Sequence, residues 1–153
     1  MKLLILAAAM GLTAGAAQAQ DVYAGVSFDY GQAQTGESQT AASLVAGATF
    51  DVGTLSMGAE VEYGAAATLG GDYDTTRLRM IGGYEFGTAT ALASIGGTRF
   101  DEGAIAYTGY NFGLGVQMPV TNALDLRGEV IRDIMKDGGT NATTTRLAAI
   151  YSF

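Results

Sequence analysis

The chain has 153 residues, a formal net charge of −7, 23 glycines, one proline, and no histidine, cysteine or tryptophan. Without cysteine there is no disulfide framework, and without histidine the commonest general base and metal ligand is missing, which argues against most hydrolase chemistry. The acidity argues equally against nucleic acid and anionic membrane surfaces as partners.

Taken from the start of the chain, the first element is an export signal. Lys2 supplies a positive n-region, residues 3–15 an apolar stretch built on Leu, Ile, Ala and Met, and Ala17-Gln18-Ala19 an A-x-A cleavage site. Cleavage after Ala19 leaves residues 20–153 as one domain. The apolar run is shorter than the roughly 20 residues that a helix needs to span a bilayer. Any membrane residence therefore has to come from strands.

Beyond the signal, apolar and polar residues alternate at period two in eight segments bounded by Gly, Asp, Asn and Thr. The first, residues 22–30, sets Val22, Ala24, Val26, Phe28 and Tyr30 against Gly25, Ser27 and Asp29. The second, 40–52, sets Ala42, Leu44, Ala46, Ala48 and Phe50 against Ser43, Gly47 and Thr49. The third, 55–63, opposes Leu55, Met57, Ala59, Val61 and Tyr63 to Ser56, Gly58, Glu60 and Glu62. In the fourth, 75–86, Leu78, Met80, Tyr84 and Phe86 oppose Arg77, Arg79, Ile81, Gly83 and Glu85.

The fifth, 89–100, places Ala91, Ala93 and Ile95 on one face, yet Phe100 has the other parity. A β-bulge at Gly96-Gly97 is expected to switch the register there. The sixth, 106–118, opposes Tyr110, Phe112, Leu114, Val116 and Met118 to Tyr107, Gly109, Asn111, Gly113, Gly115 and Gln117. The seventh, 123–134, opposes Leu124, Leu126, Val130 and Ile134 to Asp125, Arg127, Glu129 and Asp133. The last, 145–153, carries Thr145, Leu147, Ala149, Tyr151 and Phe153 against Arg146 and Ser152. A chain that ends inside a strand on an aromatic is unusual for a soluble domain, whose termini fray into water.

Alternation alone leaves the inward face open, since a soluble barrel puts its apolar face inside and a membrane barrel does the reverse. Aromatics collect near the strand ends of the apolar face. Phe50, Tyr84, Phe86, Tyr151 and Phe153 form one rim, and Phe28, Tyr30, Tyr63 and Phe100 the other, as interfacial girdles require. Connections of about four residues after the second, fourth and sixth strands, against about six to eleven after the others, match short periplasmic turns and longer outer loops. The polar face carries Glu60, Glu62, Glu85, Asp125 and Glu129 against Arg77, Arg79, Arg99, Arg127 and Arg146. This balance is what a packed, water-poor lumen needs. The excess acid falls in the loops, at Glu37, Asp72, Asp74, Asp101, Glu102 and Asp137, with Asp29, Arg132 and Asp133 at strand ends.

On these patterns the chain resembles the small eight-stranded bacterial outer-membrane barrels: the OmpA transmembrane domain, OmpX and the opacity-type surface proteins. The resemblance implies an all-β, antiparallel, up-and-down transmembrane barrel in the bacterial outer membrane. It also implies that Leu147, Ala149, Tyr151 and Phe153 form the signal read by the outer-membrane assembly machinery. Implied partners are outer-membrane lipid, that machinery and the periplasmic chaperones of biogenesis. A monomer is expected, with no cofactor and no metal. The periplasmic domain that follows the barrel in OmpA is not expected here, because the sequence ends at its last strand.

Eight strands enclose an interior that side chains just fill, so a structural, non-enzymatic barrel with a salt-bridged lumen is the expected function. A small passive pore is the competing expectation. It rests on Gly25, Gly47, Gly58, Gly83, Gly109, Gly113 and Gly115 on the polar face, which would leave a thread of water. Loop-mediated binding is generic. Asp72-Tyr73-Asp74 lacks the further ligands of a calcium loop and reads as a solvated acidic loop. The Asn141-Ala142-Thr143 sequon carries no information in a bacterial barrel.

Overall fold

The computed structural model describes residues 21–66, 73–136 and 139–153. The export signal with Ala17 and Ala19, and the loop acids Asp72 and Asp137, lie outside the described residues. Eight strands follow in chain order: β1 (Asp21–Ala33), β2 (Ser38–Val52), β3 (Leu55–Ala66), β4 (Tyr73–Phe86), β5 (Ala89–Glu102), β6 (Ile105–Pro119), β7 (Leu124–Met135) and β8 (Ala142–Ser152). Each pairs antiparallel with its neighbours, and β1 pairs with β8, closing an up-and-down barrel with no free edge.

Closure is staggered. Partners followed once around from Tyr23 run through Gly47, Glu60, Arg79, Gly96, Asn111 and Asp133 to Ala142. Tyr23 itself pairs with Ser152, ten residues further along β8. That offset of ten is the shear that tilts the strands, and it fixes which side chains meet across the lumen.

The residues of each strand alternate between a buried and an exposed side, and the exposed side is the apolar one. Leu114 is 67% exposed, and Leu44, Leu78, Met80, Ile95 and Leu147 are similarly bare. Glu60 and Glu62 are buried together with Arg77, Arg79, Arg127 and Arg146. In water, each bare Leu would forgo about 1.5 to 3 kcal/mol of burial, and the buried apolar cluster of Tyr23, Val45, Ala148 and Ile150 is too small to offset it. Hydrocarbon removes that deficit, so the barrel is a transmembrane one. Aromatics bound the apolar belt. Phe50, Tyr84, Phe86, Tyr151 and Phe153 lie at the end where β1 starts and β8 finishes, and Phe28, Tyr30 and Tyr63 lie at the other, joined by Tyr110 and Phe112.

Two expectations are corrected. The ladders on both sides of β5 run unbroken through Gly96 and Gly97, without a bulge. Arg99 therefore faces outward and Phe100 inward, where its ring stacks on Tyr73 with centroids 5.3 Å apart. Gly96 is required because a Cβ there would collide with the β4 backbone at Leu78. The alternation of connection lengths is also weaker than expected. The strands extend further, the β5–β6 connection closes in Gly103-Ala104 with Gly103 at φ 58°, and Asp101 and Glu102 belong to β5.

A closed, fully hydrogen-bonded barrel resists detergent until heated, so unboiled protein extracted from membranes should migrate as a compact species and shift on boiling. Leu114→Arg should cost roughly 2 to 4 kcal/mol on the lipid face. Gly113→Ser, one residue along, faces the lumen, where a new Cβ would lie 2.7 Å from Ser94 Oγ and 3.4 Å from Ile131. That change should cost about 1 to 3 kcal/mol by overpacking. Urea unfolding in lipid vesicles measures both, and an undisturbed Leu114→Arg barrel would mean that this face does not meet lipid.

Candidate functional site in the lumen

The inward side chains of β1, β3, β4, β7 and β8 build one connected set of ion pairs in the middle of the barrel. On the loop side, Arg146 forks onto Asp29, with Nε–Oδ1 and Nη2–Oδ2 both 2.8 Å, and also reaches Glu62 Oε1 at 2.5 Å. The same Glu62 oxygen takes Arg77 Nη1 at 2.5 Å, while Arg77 forks onto Asp133 at 3.1 and 2.7 Å. On the turn side, Arg79 forks onto Glu129 at 3.0 and 3.2 Å and also binds Glu60. Arg127 binds the other oxygen of Glu60. Arg146 Nη1, 3.8 Å from Glu129 Oε2, joins the two tiers.

Neutral donors add to the set, although Glu62 Oε2, Arg79 Nε and Arg146 Nη1 are buried without a hydrogen-bond partner. Ser27 and Ser43 donate to Asp29 at 3.0 and 2.7 Å, and Thr98 donates to Asp133 at 2.7 Å while accepting from Asn111. The Tyr23 hydroxyl donates to Glu60 at 2.9 Å, and the Arg127 guanidinium lies over its ring at 5.2 Å. Every carboxylate of the set is therefore held by at least one guanidinium. Planar forks of this kind are the strong form of the interaction, and burial removes the water that would screen them.

This layer separates two vestibules. The one at the loop end has a volume of about 190 Å³ and reaches down to Arg77, Asp133 and Thr144. The one at the turn end, about 380 Å³, reaches up to Tyr23, Ile81 and Arg127. The two have no lining residue in common. At the lumenal Gly47 the Tyr23 ring occupies the place where a Cβ would stand, and at Gly113 the Ser94 hydroxyl does so.

The ten charges read from the sequence as lumenal divide accordingly. Glu60, Glu62, Arg77, Arg79, Arg127, Glu129 and Arg146 come together in the central layer. Glu85 has the inward parity but stands exposed at the mouth of the turn-end vestibule. Asp125 lies at the same mouth and accepts from Gln117 at 2.6 Å. Arg99 is outside the lumen and pairs with Asp101 at 2.7 Å, half-exposed on the barrel wall. Asp29 and Asp133, read as strand-end charges, belong to the centre instead. Both share the parity of their charged neighbours, a signal that was present in the sequence. The buried set is thus five acids and four bases among the described residues, in place of the expected balance.

Arg127 also has a different partner from its same-strand neighbours Asp125 and Glu129. Side chains two residues apart on a strand point the same way but run parallel, so Arg127 reaches across the lumen to Glu60. Leu147, Ala149, Tyr151 and Phe153 lie on the outward parity of the terminal strand, with the Phe153 amide bonded to Val22 O at 3.0 Å. Tyr73 has the inward parity and donates its hydroxyl to Thr40 O at 2.7 Å, and Asp74 has the outward parity. Asn141 is a latch: its Oδ1 accepts from the Met135 amide at 2.9 Å and its Nδ2 donates to Gln34 at 3.3 Å.

No protein-family model and no curated protein matches the sequence. Solved structures do match. Neisserial surface protein A is similar at 15% identity and a TM-score of 0.63 over 87% of this chain and 96% of that one. The N-terminal β-barrel domain of Pseudomonas aeruginosa OprF is similar at 13% identity and a TM-score of 0.64, over 86% and 97%. The attachment invasion locus protein Ail of Yersinia pestis is similar at 11% identity and a TM-score of 0.61, over 87% and 97%. The fold is therefore that of the small eight-stranded outer-membrane barrels.

Removing Arg127 leaves Glu60 short of one of its two guanidiniums, and breaking such a buried pair typically costs about 3 to 5 kcal/mol. Arg127→Ala should be strongly coupled to Glu60→Ala in a double-mutant cycle, and more weakly coupled to Glu129→Ala, which reaches it only through Arg79 and Glu60. Urea unfolding in vesicles reads both cycles. Additivity with Glu60 would mean that the two side chains do not pair in the membrane.

Proposed function

We propose that the chain is an integral barrel of the bacterial outer membrane whose own side chains close the lumen, and that it works as a structural membrane protein and not as an enzyme. The observation that carries this reading is the central layer of paired charges between two vestibules with no shared wall. An ion crossing it has to break buried guanidinium–carboxylate forks, and separating a single such pair is a loss of several kcal/mol. The carboxylates that acid–base chemistry would use are already neutralised by arginine, which supports a cohesive role over a catalytic one. The outer-membrane setting is supported by the apolar belt, the two aromatic girdles and the likeness to barrels of that membrane. The outward register of Leu147, Ala149, Tyr151 and Phe153 suits a terminal strand handed over by chaperones to the assembly machinery. The closed barrel leaves no strand edge for edge-to-edge pairing with a second copy, which supports a monomer.

In a planar bilayer the folded protein should pass no reproducible current steps. The double variant Glu62→Ala with Arg146→Ala, which removes the junction of the loop-side tier, should conduct. Regular steps from the unaltered protein would establish the passive pore instead. Silence of a folded double variant would mean that the remaining side chains seal the lumen without that junction.

A further inference from the structure

The lumen takes four of the arginines, and the remaining bases of the described residues, Arg99, Arg132 and Lys136, all face outward in one sector. Arg99 on β5 stands opposite Thr108 on β6, and the Lys136 amide, just past β7, donates to that same Thr108 carbonyl at 2.8 Å. Lys136 Nζ lies 6.0 Å from the centre of the Tyr110 ring, and Arg132 is in register with Phe112. The three bases thus flank the loop end of β6. β6 and β8 carry no acid and the acids of β7 point into the barrel, so among the described residues the only outward acids near the sector are Asp74 and Asp101, on the far side of Arg99.

Their partners are incomplete. Arg99 spends Nε and Nη2 on Asp101. Arg132, half-buried against the wall, has a neutral partner, Thr143 Oγ1, at 2.7 Å, and neither it nor Lys136 is in an ion pair among the described residues. A guanidinium is charged at any accessible pH. On a lipid-facing wall it is costly unless it reaches an anion at the interface. Directly below these bases the wall is apolar, with Ile95, Phe112 and Leu114 bare, so an anion that carries acyl chains finds both halves of its chemistry in one sector.

We propose that the outer wall of β5–β7 binds the phosphate headgroup of an anionic membrane lipid in the leaflet at the loop end, through Arg132, Lys136 and the free side of Arg99. The site rests on the membrane-barrel reading above. It draws on the planar, multi-donor fit of arginine to phosphate and on the attraction of a basic cluster to acidic headgroups.

The test is native mass spectrometry of the folded barrel in neutral detergent with added lipid A, compared with dephosphorylated lipid A and with inorganic phosphate as competitor. Lipid A should be retained over its dephosphorylated form. Arg132→Gln should lower its occupancy about fivefold, and the triple variant with Arg99→Gln and Lys136→Gln on the order of a hundredfold. Retention of lipid A by folded variants, or equal retention of the dephosphorylated form, would overturn the site. Displacement by inorganic phosphate at matched concentration would overturn a lipid as its occupant. The heat-dependent gel shift is run on the same samples. Loss of lipid binding with the shift intact supports the site, whereas absence of the shift from the unaltered protein would defeat the barrel reading itself. Should the triple variant not fold, the Arg132→Gln ratio alone decides.

Discussion

The structure depends on guanidinium–carboxylate bonds formed away from bulk water. Five acids and four bases stand inside a barrel too narrow to hydrate them fully. Each costs several kcal/mol to bury unless its lost solvation is returned by a partner of opposite charge. The network returns it by sharing: Glu62 serves Arg77 and Arg146, and Glu60 serves Arg79 and Arg127. Loss of Arg146 takes from Asp29, and loss of Arg77 takes from Asp133, the one guanidinium that each is bonded to. The packing core of a soluble protein is here replaced by an electrostatic one, with Tyr23, Val45, Ala148 and Ile150 as a small apolar supplement.

Closure and polarity reinforce each other. A β-strand in hydrocarbon cannot leave its amides unpaired, so the sheet must close on itself. Closing at eight strands leaves room for side chains and little else. The charges then have one place to go that is neither lipid nor open water, and the shear of the barrel decides which of them meet. Arg79 and Glu60 are direct cross-strand partners. Arg127 and Glu60, by contrast, come from strands that are not neighbours and meet only because the cylinder curls them face to face.

The same logic explains why solved barrels at 11 to 15% identity share the fold while no family model matches the sequence. A membrane barrel asks each position for an apolar or a polar residue at period two, and it asks for specific residues at few places. Many sequences meet that requirement without resembling one another. The fold therefore identifies the architecture, and the particular charges, inside and out, carry what is individual to this chain.

Parity along each strand was legible in the residues themselves. It placed Glu60, Glu62, Arg77, Arg79, Arg127, Glu129 and Arg146 on one face, and the aromatic rims indicated that this face turns inward. Such information is local, because side chains on a strand alternate whatever the strand pairs with. Parity misleads where an aromatic marks no lipid: Phe100 packs on Tyr73 inside the mouth, and Arg99 turns out to the wall. Asp29 and Asp133 had the right parity, but their depth depends on how far the strands continue. The identity of each ion pair was not legible at all. Arg127 meets Glu60 and not Glu129 because partners across a lumen are chosen by closure and shear, and these belong to the whole sheet and to no single strand.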